Sequence, residues 1–290
     1  MKIPLLETRQ ALQEMGSTGH HPVKFVCSDG NIWFCKYVLS AYGDHQTDLL
    51  YYELIGAALL RQLGIPTPEV AFVRIMPDSF TEDQIPNNAR DMVPGVVAFG
   101  SKLVHLADVV DDLVVYRTAT DFKKLKNPED LIRIALFDLW VANMDRGKDL
   151  ELLGKPGMHN FNLLTSPVKG GHQLVAIDHA SILGDSLFLR DFRPGNIRTS
   201  TDDKLFTTRL FSSVCHHLGR DRCNAVLDEF FLTSMPGTRF DDLVSTLAQA
   251  QPYWEYPPDF DARLNDFLCN PDRLALVEQE ARAFFNHPRP

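Results

Sequence analysis

The sequence predicts an α+β protein in two lobes: a small β-rich lobe with one helix over residues 1–98, and a larger, mainly helical lobe over residues 99–290. Three observations carry this reading. Short β-prone runs crowd the first hundred residues. After Gly100, apolar residues recur mostly at helical spacing. Only one β pair interrupts that second part. With 290 residues, 44% of them hydrophobic, the chain can bury a core that needs neither disulfides nor metal.

The elements follow in order. Residues 23–27 and 32–38 are β-prone, and Ser28-Asp29-Gly30-Asn31 joins them as a hairpin turn, because Gly30 and Asn31 tolerate positive φ. A helix spans about 47–63, capped by Thr47 or Asp48 and stopped by Gly64 and Pro66. Residues 69–75 form another strand, the polar stretch 77–90 a surface loop, and 96–99 a last short strand broken by Gly100. Pro128 and Glu129 open an apolar-periodic helix that continues over 131–141. A β pair, 161–164 with 173–177, follows it. Helical patterns then recur near 204–218, 220–232, 240–250, 260–268 and 271–285.

Composition excludes several function classes. A net charge of −9 argues against a direct nucleic-acid partner held by a basic surface. No window of roughly 18 apolar residues is present, so no membrane span is expected. The first fifteen residues lack the apolar core of a secretory signal. The five cysteines, Cys27, Cys35, Cys215, Cys223 and Cys269, form no CxxC pair and fit free thiols in a reducing compartment. The expected location is cytoplasmic.

Chemistry gathers in a few places. Read alone, Lys36 is a solvated strand residue. Glu53, however, lies among Leu50, Leu54 and Ala57 on an apolar helix face, where a carboxylate is costly unless paired. A strand lysine followed by a helix glutamate is a layout that grips phosphate. One strand before Lys36 lies Gly16-Ser17-Thr18-Gly19, small residues that let backbone N–H groups approach a phosphate, although no P-loop pattern is present. Farther on, Asp145 follows a helix end, Asn160 opens a short strand, and Asp178 ends the next one. Phosphoryl transfer needs a carboxylate to orient the attacking hydroxyl and oxygen ligands to hold Mg²⁺ against a triphosphate. The bland reading makes both acids turn residues; the order Asp…Asn…Asp downstream of a Lys–Glu pair favours chemistry. Asp138, on an apolar helix face, is expected to bond the backbone or a side chain of the loop that follows. His159, His172 and His179 lie near Asp178 but lack helical metal-ligand spacing. Arg190, Arg193 and Arg198 either dock a substrate or phosphate or belong to a solvated loop.

Taken in order, these stretches resemble the compact HipA-like kinases over about residues 15–185. The resemblance rests on the Gly/Ser loop, Lys36 within Trp33-Phe34-Cys35-Lys36-Tyr37, and the helix Leu50-Tyr51-Tyr52-Glu53-Leu54-Ile55-Gly56. It continues through Ala98-Phe99-Gly100-Ser101, Asn143-Met144-Asp145-Arg146, Asn160-Phe161-Asn162-Leu163-Leu164 and Ile177-Asp178-His179-Ala180. It implies a bilobal protein-kinase-like fold with ATP beneath the Gly16–Gly19 loop and beside a hinge at Ala98, Phe99 and Gly100. It also implies Lys36 on the phosphates, Glu53 orienting Lys36, Asp145 as the catalytic Asp, and Asn160 and Asp178 on Mg²⁺. One departure stands out: residues 147–158 look like an insertion between Asp145 and Asn160, expected as an exposed excursion, and Asn162 is a substitute candidate for Asn160. The acceptor implied is a Ser or Thr hydroxyl, on a protein. A small-molecule kinase and a nucleotide-binding pseudokinase are the alternatives, and an antitoxin-like partner belongs to the same family picture.

Overall fold

The computed structural model describes residues 1–14, 22–36, 47–81, 93–111, 118–150, 158–184, 189, 191–192 and 205–286. Its first part is a closed five-stranded barrel: β1 (Leu5–Glu14), β2 (Val23–Cys27), β3 (Ile32–Lys36), β4 (Val70–Arg74) and β5 (Val97–Lys102), in the order β1-β2-β3-β5-β4. Alternate residues of β2 and β3 point inward, so Phe25, Cys27, Trp33 and Cys35 meet Ala71, Val73 and Ala98 in a small apolar core. In the β2–β3 turn only Gly30 takes positive φ, at 77°, while the Asn31 N–H donates to Asp29 Oδ1 at 3.0 Å.

Three features of the barrel differ from expectation. Strand β1 was not foreseen: its alternation is irregular, with register shifts at Thr8/Gln10 and Ala11/Gln13. It closes the barrel by running parallel to β4. Within 77–90, Pro77–Ser79 is a 3-10 turn, and its buried Ser79 accepts a 2.6 Å hydrogen bond from Thr8 of β1. Strand β5 does not break at Gly100 but stays paired with β3 and β4 through Ser101. Glycine is needed there because a Cβ would sit 2.6 Å from Val73 Cγ2. The division drawn at residue 98 therefore falls inside β5.

Helix α1 (Asp48–Gln62) lies against the barrel's outer face, where Val70, Phe72, Val97 and Phe99 join its apolar residues. Thr47 takes the N-cap position without a side-chain cap bond, and Gly64, at φ 71°, ends the helix. Beyond β5 come the short β6 (Asp108–Val109), α2 (Ala119–Lys124) and α3 (Pro128–Trp140). Helix α3 is buried nearly all round and is the centre of the second core. A short ladder of β7 (Lys148–Asp149) and β8 (His159–Asn160) follows, then the hairpin β9 (Leu163–Val168) and β10 (Gly171–Ala176). The expected β pair is thus a three-stranded sheet, because β6 adds to β9.

The remaining helices are α4 (Arg209–Leu218), α5 (Arg220–Glu229), α6 (Phe240–Leu247), α7 (Phe260–Cys269) and α8 (Pro271–Asn286), with a π-helical turn at Phe230–Ser234. Part of this region reaches back to the barrel. Trp254 Nε1 donates to Val97 O at 2.8 Å, and Trp254 O accepts from the Tyr51 hydroxyl of α1 at 3.2 Å. Gln249 Oε1 accepts from the Ile3 N–H at 3.0 Å, and Gln62 exchanges two hydrogen bonds with the Arg239 backbone. Helix α1 is thereby enclosed between the barrel and residues 239–256.

Candidate active site

Lys36, the last residue of β3, turns away from the barrel core toward α1. Its ammonium pairs with Glu53 Oε1 and with Asp178 Oδ1, the latter at 2.7 Å. Glu53 is almost wholly buried, and its second oxygen accepts the His179 N–H at 2.9 Å. One cation therefore joins a strand, a helix and the segment that follows β10. Burial works against the charged ammonium, but Asp178 and Glu53 outweigh it and raise the pKa of Lys36. The burden of burial falls on Glu53, whose carboxyl is pushed up to about 7 despite Lys36. Asp178 also resists burial, yet the same ammonium holds its carboxyl well below the usual range. Asp178 has φ 56°, in the left-handed region. A non-glycine residue there costs roughly 1–3 kcal/mol, and such strain concentrates at functional sites.

Asp145 sits in the turn after α3, held from both sides. Asn143 Oδ1 accepts its N–H at 3.1 Å, and Asn160 Nδ2 and Asn162 Nδ2 each donate to its Oδ2 at 2.8 Å. A carboxylate only accepts, so both amides present their NH₂ groups to it and turn their oxygens away. Asn160 and Asn162, the two candidates for one metal-ligand position, both meet Asp145. The segment 147–158 is an excursion only in part. The Gly147 N–H donates to Asn160 O, and Lys148–Asp149 pairs with His159–Asn160, so its base is a ladder that carries Asn160. Residues 151–157 lie outside the described residues.

Arg146 organises the rest, a role not assigned from sequence. It is fully buried and its Nε pairs with Asp138 Oδ2 at 2.9 Å. Its Nη1 donates to the carbonyls of Phe161 and Ile177, each at 3.3 Å, and to that of Asn162. Asp138 also accepts from Asn143 Nδ2 at 2.8 Å, so it does bond the following loop. A buried acid on an apolar helix was the one sequence signal that a cation must lie nearby. Arg146 Nη2 faces His179 Nδ1 at 3.3 Å. An arginine only donates, so Nδ1 accepts and the ring proton sits on Nε2, 3.4 Å from Thr67 Oγ1. Burial first, then Arg146, depresses the pKa of His179, and the ring is neutral.

His179 also sets the approach of α1. A Cβ on Gly56 would lie 2.3 Å from His179 Cβ, so only glycine allows this contact. His159 and His172 stand elsewhere, on β8 and β10. Among the described residues, no three His, Cys, Asp or Glu side chains gather as a metal centre. Ala98, Phe99 and Gly100 are buried in the middle of β5, with Ala98 in the barrel core and Phe99 packed toward α1. Gly16, Ser17, Thr18, Gly19, Arg190, Arg193 and Arg198 lie outside the described residues.

The Asp178 carboxylate, with 28% of its side chain exposed, and an amide oxygen of Asn160 or Asn162 are groups that could hold a hard divalent cation. Among solved structures, the chain is similar to a Helicobacter pylori proinflammatory kinase, CtkA, at 10% identity. The match covers 97% of this chain and 98% of that one with a TM-score of 0.51, a likeness of fold. It also matches a Golgi casein kinase at 14% identity, over 99% of this chain and 73% of that one, with a TM-score of 0.46. A Golgi casein kinase with Mn/ADP bound matches at 13% identity, over 97% and 73%, with the same score. No curated protein matches the sequence. The family model described as HipA-like kinase matches residues 10–224, most of the chain. The chain is a kinase and belongs to the HipA-like kinase family.

Proposed function

We propose that this kinase uses ATP with Mg²⁺ and transfers the γ-phosphoryl group to a serine or threonine hydroxyl of a protein. The observation that carries the reading is the separation of two carboxylate environments. Asp178 shares the Lys36 ammonium with Glu53, whereas Asp145 is held by two amides. Pairs of acids with divided environments are the mark of divided roles. In this reading, residues 1–98 grip the nucleotide, with Gly16, Ser17, Thr18 and Gly19 covering its phosphates, and residues 99–290 carry the catalytic and metal-binding loops.

Bound Mg²⁺ supplies charge neutralisation at the transferring phosphoryl group. The residues do the rest. Lys36 leaves Asp178 for a phosphate oxygen while Glu53 keeps the ammonium in place. Asp178, with Asn160 or Asn162, would hold the metal through side-chain oxygens. Asp145 accepts a hydrogen bond from the incoming hydroxyl and orients it; the two amides fix its Oδ2 and leave its Oδ1 for that contact. The test incubates the protein with γ-labelled ATP, Mg²⁺ and a lysate. Label on a protein serine or threonine, lost in Asp145→Ala, supports the reading. Label found only on a small molecule would overturn the acceptor. Nucleotide binding without transfer to any acceptor would overturn the enzyme reading in favour of a binding module.

A further inference from the structure

Away from the Lys36 site, two thiols meet where α4 turns into α5. Cys215 lies in the last turn of α4 and Cys223 in the first turn of α5, with Gly219 between the helices at φ 77°. The turn is tightly tied: the Gly219 N–H donates to Cys215 O at 3.0 Å, and the Cys223 N–H to Gly219 O at 3.1 Å. The Cys223 thiol donates to Cys215 O at 3.6 Å, which sets the two cysteines side by side across the turn. Both line one cavity of about 590 Å³ walled by Phe206, Phe211, Phe284 and Phe285. Cys223 is only 2% exposed, so that cavity is its route to small solutes.

The two sulfurs are electronically unequal. The hydrogen bond from Cys215 lowers the pKa of Cys223, and the same bond, followed by burial, raises that of Cys215. Cys223 is therefore the more readily ionised of the two, which suits it to attack, and Cys215 the less readily ionised, which suits it to resolve. Cys27 and Cys35 also neighbour each other but are both sealed in the barrel core, and Cys269 is exposed on α7.

We propose that Cys215 and Cys223 form a peroxide-oxidisable dithiol that closes a reversible disulfide between α4 and α5. The Cys223 thiolate attacks one oxygen of hydrogen peroxide. The O–O bond breaks, the sulfur becomes a sulfenic acid, and the departing hydroxide takes up the proton that Cys223 had shed. Once that sulfur is oxidised, Cys215 gives up its proton. The Cys215 thiolate attacks the Cys223 sulfur, the S–O bond breaks, and the second hydroxide leaves with the Cys215 proton as water. Two thiols thus lose two electrons and two protons, and one peroxide becomes two waters. A dithiol reductant restores both thiols by exchange.

This inference does not depend on phosphoryl transfer. The folded full chain is treated with hydrogen peroxide, the remaining thiols are alkylated, and the tryptic peptides are weighed. Cleavage at Arg220 and Arg222 separates the two cysteines, so a disulfide appears as linked peptides. The expected result is loss of both thiols to alkylation and a cross-linked species about 2 Da lighter than the sum of its reduced peptides, reversed by dithiothreitol. In Cys215→Ser, Cys223 has no resolving partner and advances to the sulfinic acid, which dithiothreitol does not reverse. If that variant does not fold, the wild-type cross-link alone decides. Both thiols still alkylatable in folded wild type, a linkage seen only after denaturation, or sulfinic Cys223 beside free Cys215 in wild type would each overturn the proposal.

Discussion

Replacing Gly56 by alanine isolates the contact between α1 and the segment holding Asp178. The added Cβ would lie 2.3 Å from His179 Cβ and 2.6 Å from Cγ, whereas ordinary contact begins near 3.4 Å. Helix and segment must therefore separate by about 1 Å, because neither clashing atom is the free end of a flexible side chain. Overpacking of this kind costs about 1–3 kcal/mol. Alanine in a helix interior returns about 0.5–1 kcal/mol. The net loss is therefore about 0–2.5 kcal/mol, and the fold survives. The chemistry should not. Glu53 lies one helical turn from Gly56 and carries both Lys36 and the His179 N–H. A shift of about 1 Å at a positioning contact can cost about 10²-fold in rate. Gly56→Ala should therefore lower kcat for phosphoryl transfer by about 10²-fold while thermal unfolding moves by only a few degrees. Adding His179→Gly removes the opposing Cβ, and the double variant should lose less than the two single losses combined. Wild-type kcat in Gly56→Ala, with the variant folded, would refute the argument.

Asp145→Ala should lower transfer by about 10²–10⁴-fold, measured with labelled ATP, while nucleotide binding by calorimetry stays near wild type. Arg146→Met leaves Asp138 buried without its cation and frees three carbonyls, so denaturant unfolding should show a loss of about 3–5 kcal/mol. The acid limb of kcat/KM should have a midpoint near 7, where Glu53 takes up a proton and releases Lys36; a Glu53→Gln profile should be lower and lack that limb. Asp178 has a depressed pKa, so its stabilising contribution is complete above about pH 4, its ordinary value, and fades as the pH falls further. Asp178→Asn should therefore flatten that part of the stability–pH curve.

The sequence revealed most where burial and charge conflict. Glu53 on an apolar face demands a cation, and Lys36 meets it. Asp138 on another apolar face likewise demands a donor, which proves to be Arg146. Turn and cap chemistry marked the β2–β3 hairpin and the end of α1 at Gly64. Strand β1 was illegible because bulges break its alternation and its pairing partner β4 is distant in sequence. Gly100 misled because a glycine that permits close packing inside a strand looks the same in sequence as one that ends it. The work of Gly56 was hidden for a related reason: it is defined by an atom of His179 that sequence does not place.

The brace between α1 and residues 239–256 bears on synthesis as well as on structure. A ribosome delivers the barrel strands and α1 long before Trp254, so the face of α1 that meets Trp254 is uncovered while the second half of the chain is made. Tyr51, Phe72 and the Val97 carbonyl must wait for that late segment. The helix that presents Glu53 is therefore enclosed last, and a chain stopped before residue 239 would carry an exposed apolar surface where the finished molecule has an interior.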